Sequence, residues 1–365
     1  MIDRWLNPEH DDPNDGLESY VQTLDEASLH EFGVGLLGES LVAQRVLLAR
    51  RSGLELRASL PGQLDLSYWG HSFASAVAVL MPPQAGQEAG QRRKRRKRQE
   101  QLLNGQDAWP DLATVKNAAY LLCADSYPPE VGLPRKLYPN RQETATLLNY
   151  EGFDQLLQLL TSTVSPSLGP AWLKGKPWLR EALSTIVLET FKNTHDHARR
   201  EVDHSNVRDS VRGLYARYYG MDELVKFAKI GDPDLHSPAL RYARNFIARE
   251  ERPGVRIEST PTVSGLLELS VLDSGPGMAA KFLGKDVGDV PVRDQLSAVM
   301  ACFEKGRTTT GTKGRGFGLA KVLLNLKVLH GFMSVRTNSV HIFRQFASLR
   351  GAASIEESDG AQMPD

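Results

Sequence analysis

The sequence predicts an α+β protein, and three features of the chain support this fold class. Apolar residues recur at helical spacing in residues 17–52 and again in residues 178–198. Leu267, Leu269 and Val271 alternate with other residues, as they do in a strand. A glycine-rich stretch then leads into another helical pattern at residues 314–331. This succession of helices and strands predicts a fold with both a helical layer and a β-sheet layer.

Composition sets wide limits. The chain has 365 residues, which suggests two or three domains. Lys plus Arg and Asp plus Glu both count 44, so the formal net charge is zero and favours no class of charged partner. The two cysteines, Cys123 and Cys302, have no zinc-ligand spacing, and we expect buried thiols.

We expect no secretory signal peptide in the N-terminal third. Its first fifteen residues lack the apolar core of a signal peptide. After the helical pattern of residues 17–52, alternation on both sides of Pro61 and Gly62 predicts a hairpin. The apolar stretch from Phe73 to Met81 is of uncertain type and too short to span a bilayer. We expect a cytoplasmic protein.

A block of positive charge follows. Seven cations are consecutive: Arg92, Arg93, Lys94, Arg95, Arg96, Lys97 and Arg98. Like charges at this density repel one another, so residues 86–108 are predicted to be a flexible, extended linker. The run is either a solvated loop or a docking segment for nucleic acid or another polyanion. No aromatic residue interleaves it, which disfavours stacking on single-stranded bases.

The predicted helix at residues 178–198 carries polar groups along one edge of its apolar stripe. Glu189, Asn193 and His197 are four residues apart and therefore line up. A carboxylate can take a proton from an attacking water, and an amide oxygen suits a magnesium ion. A metal cluster including His195 is an alternative, but residues 195 and 197 lie on different helix faces, so we expect none.

A second polar group stands where the strand of residues 266–273 is predicted to end. Asp273 begins the string DSGPGM. Gly275 and Gly277 permit a tight turn and a close approach of a ligand to the backbone. A carboxylate held at this strand end could accept a hydrogen bond from the exocyclic amino group of adenine.

A third motif joins a flexible segment to a helix. Residues 303–313 are rich in Gly, Thr and cations and are predicted to form a mobile lid. Gly314, Gly316 and Gly318 then open a helix, and glycine-rich backbone at a helix N-terminus binds anions. The spacing is neither the Walker A nor the Rossmann pattern, and the kinase strings HRD and DFG are absent.

Together these strings resemble those of the GHKL superfamily, whose nucleotide domain has the Bergerat fold. ETFKNTHDHA resembles the N box, DSGPGM the first glycine box, Phe303 with Glu304 the phenylalanine box, and GTKGRGFGLAKV the second glycine box. The resemblance implies a C-terminal α/β sandwich in which helices cover one face of a mixed sheet. A separate mixed α/β domain would precede it.

The resemblance also implies roles. Glu189 would act as general base or orient water, Asn193 would hold Mg²⁺, Asp273 would recognise adenine and His197 would lie against the base. The glycines would cradle the phosphates of ATP, with Lys313 or Arg315 close to the terminal one. The sequence departs from histidine kinases at Asp196, where they often have a lysine. It also has a long insertion at residues 199–252, with helices predicted at 210–229 and 238–250.

The predicted domains follow from these motifs. Residues 1–85 form a sensing or partner domain, 86–108 a basic linker, 109–174 a continuation or connector, 175–350 the ATP-binding domain, and 351–365 a disordered tail. The predicted function is a stand-alone ATPase whose slow Mg-ATP hydrolysis drives a lid-coupled conformational or dimerisation switch. The alternatives are a histidine or serine kinase and a non-hydrolysing ATP sensor. His30 lacks the proline that follows a typical phosphoacceptor, which disfavours the histidine kinase.

Overall fold

The computed structural model describes residues 37–51, 72–81, 89–108, 117–142, 145–165, 176–229, 238–250, 265–304 and 317–346. Within these ranges the protein is mixed α/β. The helices are α1 (Gly38–Arg51), α2 (Phe73–Leu80), α3 (Ala89–Gly105), α4 (Pro129–Gly132), α5 (Tyr150–Val164), α6 (Pro177–His197), α7 (Met221–Lys229), α8 (Pro238–Glu250), α9 (Met278–Leu283), α10 (Val292–Cys302) and α11 (Gly318–Val328). The strands are β1 (Ala118–Ala124), β2 (Val211–Gly220), β3 (Gly265–Asp273), β4 (Phe332–Thr337) and β5 (Val340–Gln345).

A three-stranded sheet organises most of the described chain. Its strand order is β1-β2-β3, and both pairings are antiparallel. The mixed sheet that we expected is therefore not what the described residues form. β1 belongs to residues 109–174 and bonds to β2, so hydrogen bonds cross the domain boundary predicted at residue 175.

One face of this sheet is covered by α5 and α6. The sheet contributes Ala119, Leu121 and Cys123 from β1 together with Leu214 and Ala216 from β2. The facing side of α6 presents buried apolar residues four apart: Leu179, Leu183, Val187 and Phe191. This spacing gives the continuous stripe that fixes the rotation of α6 about its own axis. The polar edge that follows the stripe is thereby held beside the sheet.

The other face is covered by α1, α2 and α3. Val46, Phe73 and Leu103 belong to the same buried cluster as Tyr120 and Tyr215 of the sheet. The expectation of helices on one face is therefore wrong for this sheet, and the N-terminal helices share a core with its strands. The physical reason is burial, because nine of the ten residues of β2 are buried and strands with both faces covered lose their polar alternation.

The basic run is helical, which corrects the prediction of an extended linker. The run lies inside α3, which Leu102 and Leu103 anchor in the core. Arg95 donates to the backbone oxygens of Ala78 and Met81, at the C-terminal end of α2. Burial of one side of α3 and this capping outweigh the repulsion between cations on its solvent side.

Some of the other helices and strands predicted from the sequence are confirmed, and others are not. Helices are confirmed at 177–197, 221–229 and 238–250, and the strand at 265–273 is confirmed as well. The prediction that residues 210–220 are helical is wrong, because residues 211–220 form β2. The predicted hairpin around Pro61 and Gly62 lies outside the described residues. In the described ranges, no helix combines the length and the apolar character needed to cross a membrane.

A second, two-stranded sheet completes the described fold. β4 and β5 form an antiparallel hairpin. The hairpin packs with α9, α10 and α11 around a separate cluster that includes Val299, Phe303, Leu323 and Ile342. Phe303, from the expected phenylalanine box, is therefore a core residue at the end of α10.

Candidate functional site

Helix α6 carries the first three candidate residues on one edge, as predicted. It begins at Pro177, where a proline suits the first helical turn because its missing N–H has no intrahelical partner there. Glu189, Asn193 and His197 are all partly buried. The apolar stripe packs on the sheet, so this edge lies at the boundary between the core and solvent.

The middle of α6 faces the start of α11. Oε1 of Glu189 accepts a hydrogen bond from Nζ of Lys321 at 3.2 Å. A Cβ atom added to Gly318, the first residue of α11, would lie 2.7 Å from Oε2 of Glu189. Both oxygens of Glu189 are therefore directed at the first turn of α11, which is where the expected phosphate motif ends.

The C-terminal end of α6 faces the turn after β3. A Cβ atom added to Gly275 would lie 2.6 Å from Cα of Ala198, so only glycine permits this approach. The amide of Gly275 donates to Oδ1 of Asp273 at 2.9 Å, which fixes the carboxylate at the turn. The prediction that the strand ends at Asp273 is confirmed.

The rest of this glycine motif is held by the β4–β5 hairpin. Gly277 has a φ of +89°, a conformation that disfavours residues with a side chain. The side-chain Nδ2 of Asn338 donates to the carbonyl oxygen of Pro276 at 2.8 Å. The amide of Met278 donates to Oγ1 of Thr337, also at 2.8 Å. The turn after Asp273 is therefore fixed on both sides, by α6 and by the hairpin.

Two glycine motifs thus meet one helix at two places. Ala198 follows Glu189 by nine residues, which corresponds to about 14 Å along a helix. Asn193 lies between them and is partly exposed. The arrangement provides a carboxylate at each end, an amide between, and a helix N-terminus beside Glu189. An elongated ligand with a hydrogen-bonding ring at one end and anionic groups at the other matches this order of groups.

A polar network of Asp125, Arg212, Tyr138 and His195 contacts the C-terminal end of α6. Asp125 accepts from Arg212 at both oxygens, at 2.9 Å from Nε and 2.6 Å from Nη2. Nη1 of Arg212 donates to the Tyr138 hydroxyl at 2.7 Å, and that hydroxyl is 2.9 Å from Nδ1 of His195. The tautomer of His195 decides which of these two groups donates in the contact.

The charges in this network shift the pKa values of Asp125 and His195. Burial alone would raise the pKa of Asp125, but the hydrogen bonds and the charge of Arg212 lower it on balance. Burial, together with the positive charges of Arg212 and Arg199, lowers the pKa of His195 to about 4. A neutral imidazole is the state that can accept the Tyr138 proton, so charge and hydrogen bonding agree.

The sequence did not predict this polar network, and it did not predict a role for Lys321. Asp125, Tyr138, Arg212 and His195 are distant in sequence, and no local pattern joins them. Arg212 lies opposite Asp273 in the β2–β3 register, so the network also anchors the strand end that carries Asp273. Lys321 had a weak signal, since it is three residues after Gly318 and therefore one turn into α11.

Several candidates cannot be placed. Lys313, Gly314, Arg315 and Gly316 lie outside the described residues, as do residues 305–313 of the expected lid and His30. In the part of the chain that the structure describes, no group of three or more His, Cys, Asp or Glu side chains is positioned for a metal ion. Asn193 alone would leave most magnesium ligands to phosphate oxygens and water, which is how Mg²⁺ is commonly held beside nucleotides.

Comparison with protein-family models, with curated proteins and with solved structures found no match to this chain. The GHKL resemblance therefore rests on the four ordered motifs.

Proposed function

We propose that this chain is a GHKL-type ATPase that binds Mg-ATP along α6, between the two glycine motifs, and hydrolyses it slowly. One observation carries the proposal: α6 and its C-cap residue contact both glycine motifs, at Gly318 through Glu189 and at Gly275 through Ala198. The sequence motifs are defined by residue order and not by position in space. Their meeting on one helix is what a shared nucleotide site requires.

The proposed binding roles follow the order of groups along α6. Asp273 accepts the exocyclic amino group of adenine, and His197 lies against the base. Asn193 holds Mg²⁺, which when bound neutralises charge on the phosphates. The N-terminus of α11 at Gly318, with Gly314 and Gly316 before it, binds phosphate oxygens through backbone amides. Lys313 or Arg315 reaches the terminal phosphate.

The proposed reaction is an in-line displacement by water. Glu189 takes a proton from the water, whose oxygen forms a bond to the terminal phosphorus. The bond between that phosphorus and the bridging oxygen breaks, and ADP leaves with the negative charge. Residues 305–313 close over ATP but not over ADP, so the two nucleotides favour different states. A ligand shifts such an equilibrium only by its differential affinity for the two states.

The test separates the ATPase from its two rivals. The intact protein is incubated with Mg²⁺ and γ-labelled ATP, and free phosphate and protein-bound label are both measured. The ATPase releases phosphate with no stoichiometric label on protein. A histidine kinase gives acid-labile label that is lost in His30→Gln, and a serine kinase gives acid-stable label. Binding without phosphate release identifies the non-hydrolysing sensor.

A second candidate function concerns the basic run, which we propose docks on a polyanion such as nucleic acid. Arg93, Lys94 and Lys97 are exposed on α3 and make no ion pair with another described residue. Arg96 is paired with Glu100 at 3.1 Å. The apolar side of α3 is buried, so its solvent side has no apolar residues with which to insert into a membrane surface. The interaction that we propose for these cations is contact with the phosphates of a nucleic acid.

This second candidate is tested by anisotropy with a short labelled DNA duplex at several salt concentrations. Glutamine at positions 93, 94 and 97 should weaken binding, and each lost phosphate contact should reduce the log–log salt slope by about 0.9. The matched control places glutamine at Lys226, Arg241 and Lys327, which are also exposed cations. Equal binding by both triple variants would rule out α3 as the docking surface.

A further inference from the structure

Lys321 forms an ion pair that the proposed chemistry does not use. Its Nζ lies 3.2 Å from Oε1 of Glu189, and its side chain is 56% exposed, whereas that of Glu189 is 17% exposed. A pair with one exposed member gains little free energy and breaks easily. The contact is therefore a resting position for Lys321 and not a fixed structural link.

The position of Lys321 places its charge beside the expected phosphates. Lys321 lies one turn after Gly318, and its amide donates to the carbonyl oxygen of Phe317, the residue before the helix. Its side chain reaches back over that first turn, because it meets Glu189, the residue that Gly318 also contacts. A phosphate at the N-terminus of α11 would lie within the range of the same flexible side chain.

In this resting arrangement, Lys321 occupies one of the two oxygens with which Glu189 would accept a proton from water. The other oxygen faces Gly318, so both are directed at the expected phosphate site. Movement of Lys321 would therefore free this oxygen for the attacking water.

We propose that Lys321 is a positioning residue that changes its partner when ATP binds. Its ammonium group binds Glu189 in the resting protein and moves to the terminal phosphate of ATP. The transfer releases Glu189 for the attacking water and adds a positive charge beside the phosphate on which negative charge develops. ADP lacks the terminal phosphate, so with ADP Lys321 stays on Glu189. This inference rests on the proposed ATPase function and names a residue that discriminates ATP from ADP at that site.

The first experiment measures affinities for a non-hydrolysable ATP analogue and for ADP, both with Mg²⁺. Lys321→Met should weaken binding of the ATP analogue about tenfold, because a charge-assisted hydrogen bond is lost. It should change ADP affinity less than twofold. Lys321→Arg should restore most of the difference. Lys327→Gln, an exposed cation on the same helix, is the control and should change neither affinity.

The second experiment tests the exchange itself with a double-mutant cycle. Glu189→Gln removes the resting partner, so it should raise affinity for the ATP analogue by about two- to fivefold more when Lys321 is present than when it is methionine. A structural role for the pair predicts no such coupling. Additive effects of the two substitutions would overturn the exchange.

The outcomes separate this inference from the function on which it rests. If the wild-type protein binds neither nucleotide, the proposed ATPase fails. If it binds both, but Lys321→Met changes ATP and ADP affinity equally or not at all, the ATPase proposal stands and the role of Lys321 is wrong. A selective loss of ATP affinity together with coupling to Glu189 supports it.

Discussion

Glu189 is the residue on which the proposed chemistry depends. Its Oε1 lies 3.2 Å from Nζ of Lys321. Its Oε2 lies so close to Gly318 that a Cβ atom added there would be only 2.7 Å away. A larger residue at position 318 would displace the carboxylate. The string GFGLAK thus has a spatial reason for its glycine at position 318 in addition to any contact with phosphate.

Glu189→Gln should slow phosphate release by about 100- to 10,000-fold while ATP binding persists, because the amide cannot take a proton from water. Glu181→Gln, on the exposed part of the same helix, is the control and should hydrolyse ATP at the wild-type rate. Steady-state phosphate release and analogue affinity are measured for both. An unchanged rate in Glu189→Gln would place the base elsewhere.

His195 should make stability depend on pH between about 6.5 and 4. The folded pKa is lowered to about 4 from an ordinary value of 6.5, so in this range the unfolded chain binds a proton that the folded chain does not. Stability is therefore lost as the pH falls through this window. His195→Gln should show a smaller fall in Tm from pH 6.5 to 4. Parallel Tm curves for the two proteins would contradict the burial of a neutral imidazole.

At the scale of elements, the Asp125–Arg212 pair joins the end of β1 to β2 and supports α6. The side chain of Arg212 is fully buried and that of Asp125 is 9% exposed. Asp125→Asn should lower the free energy of unfolding by about 3–5 kcal/mol, because it leaves a buried guanidinium without its counter-charge. Urea unfolding measures the change.

The matched control for this substitution is Arg96→Gln, which breaks the exposed pair with Glu100 on α3. Exposed pairs of this kind contribute about 0–1 kcal/mol. Similar losses in the two variants would mean that the buried network does not hold the sheet and α6 together.

The elements differ in how far the sequence could predict them. The stripe of α6 and the end of β3 at Asp273 are set by local spacing and by glycine, and both are confirmed. β2 was expected to be helical because burial of both its faces removes the alternation that identifies a strand. The helical form of the basic run depends on the contact of Leu103 with the core and on the bond from Arg95 to Met81. Neither contact is visible in a local pattern.

At the scale of the whole molecule, the N-terminal helices and the candidate site share one sheet. Ser40 of α1 donates to Glu268 of β3, five residues before Asp273, and Tyr219 donates to the same carboxylate at 2.5 Å. Glu268 is buried, so these bonds fix α1 on the strand that carries the proposed adenine ligand. The sequence could not predict this contact, because residues 40 and 268 are far apart and belong to separately predicted domains.

The central claim is that Asp273 recognises adenine in a Mg-ATP site. Asp286→Asn is a close control, because Oδ1 of Asp286 accepts from the amide two residues ahead at 2.8 Å, as Oδ1 of Asp273 does at 2.9 Å. Asparagine keeps an acceptor for that turn in both variants, but at position 273 it also introduces donors that face the adenine amino group.

The most direct measurement is calorimetric titration of a non-hydrolysable ATP analogue into the intact protein, with and without Mg²⁺. The predicted result is saturable, Mg²⁺-dependent binding in the wild-type protein and in Asp286→Asn, and loss of most binding in Asp273→Asn. Absence of binding in the wild-type protein would contradict the nucleotide site. Equal affinity in all three proteins would contradict the role of Asp273.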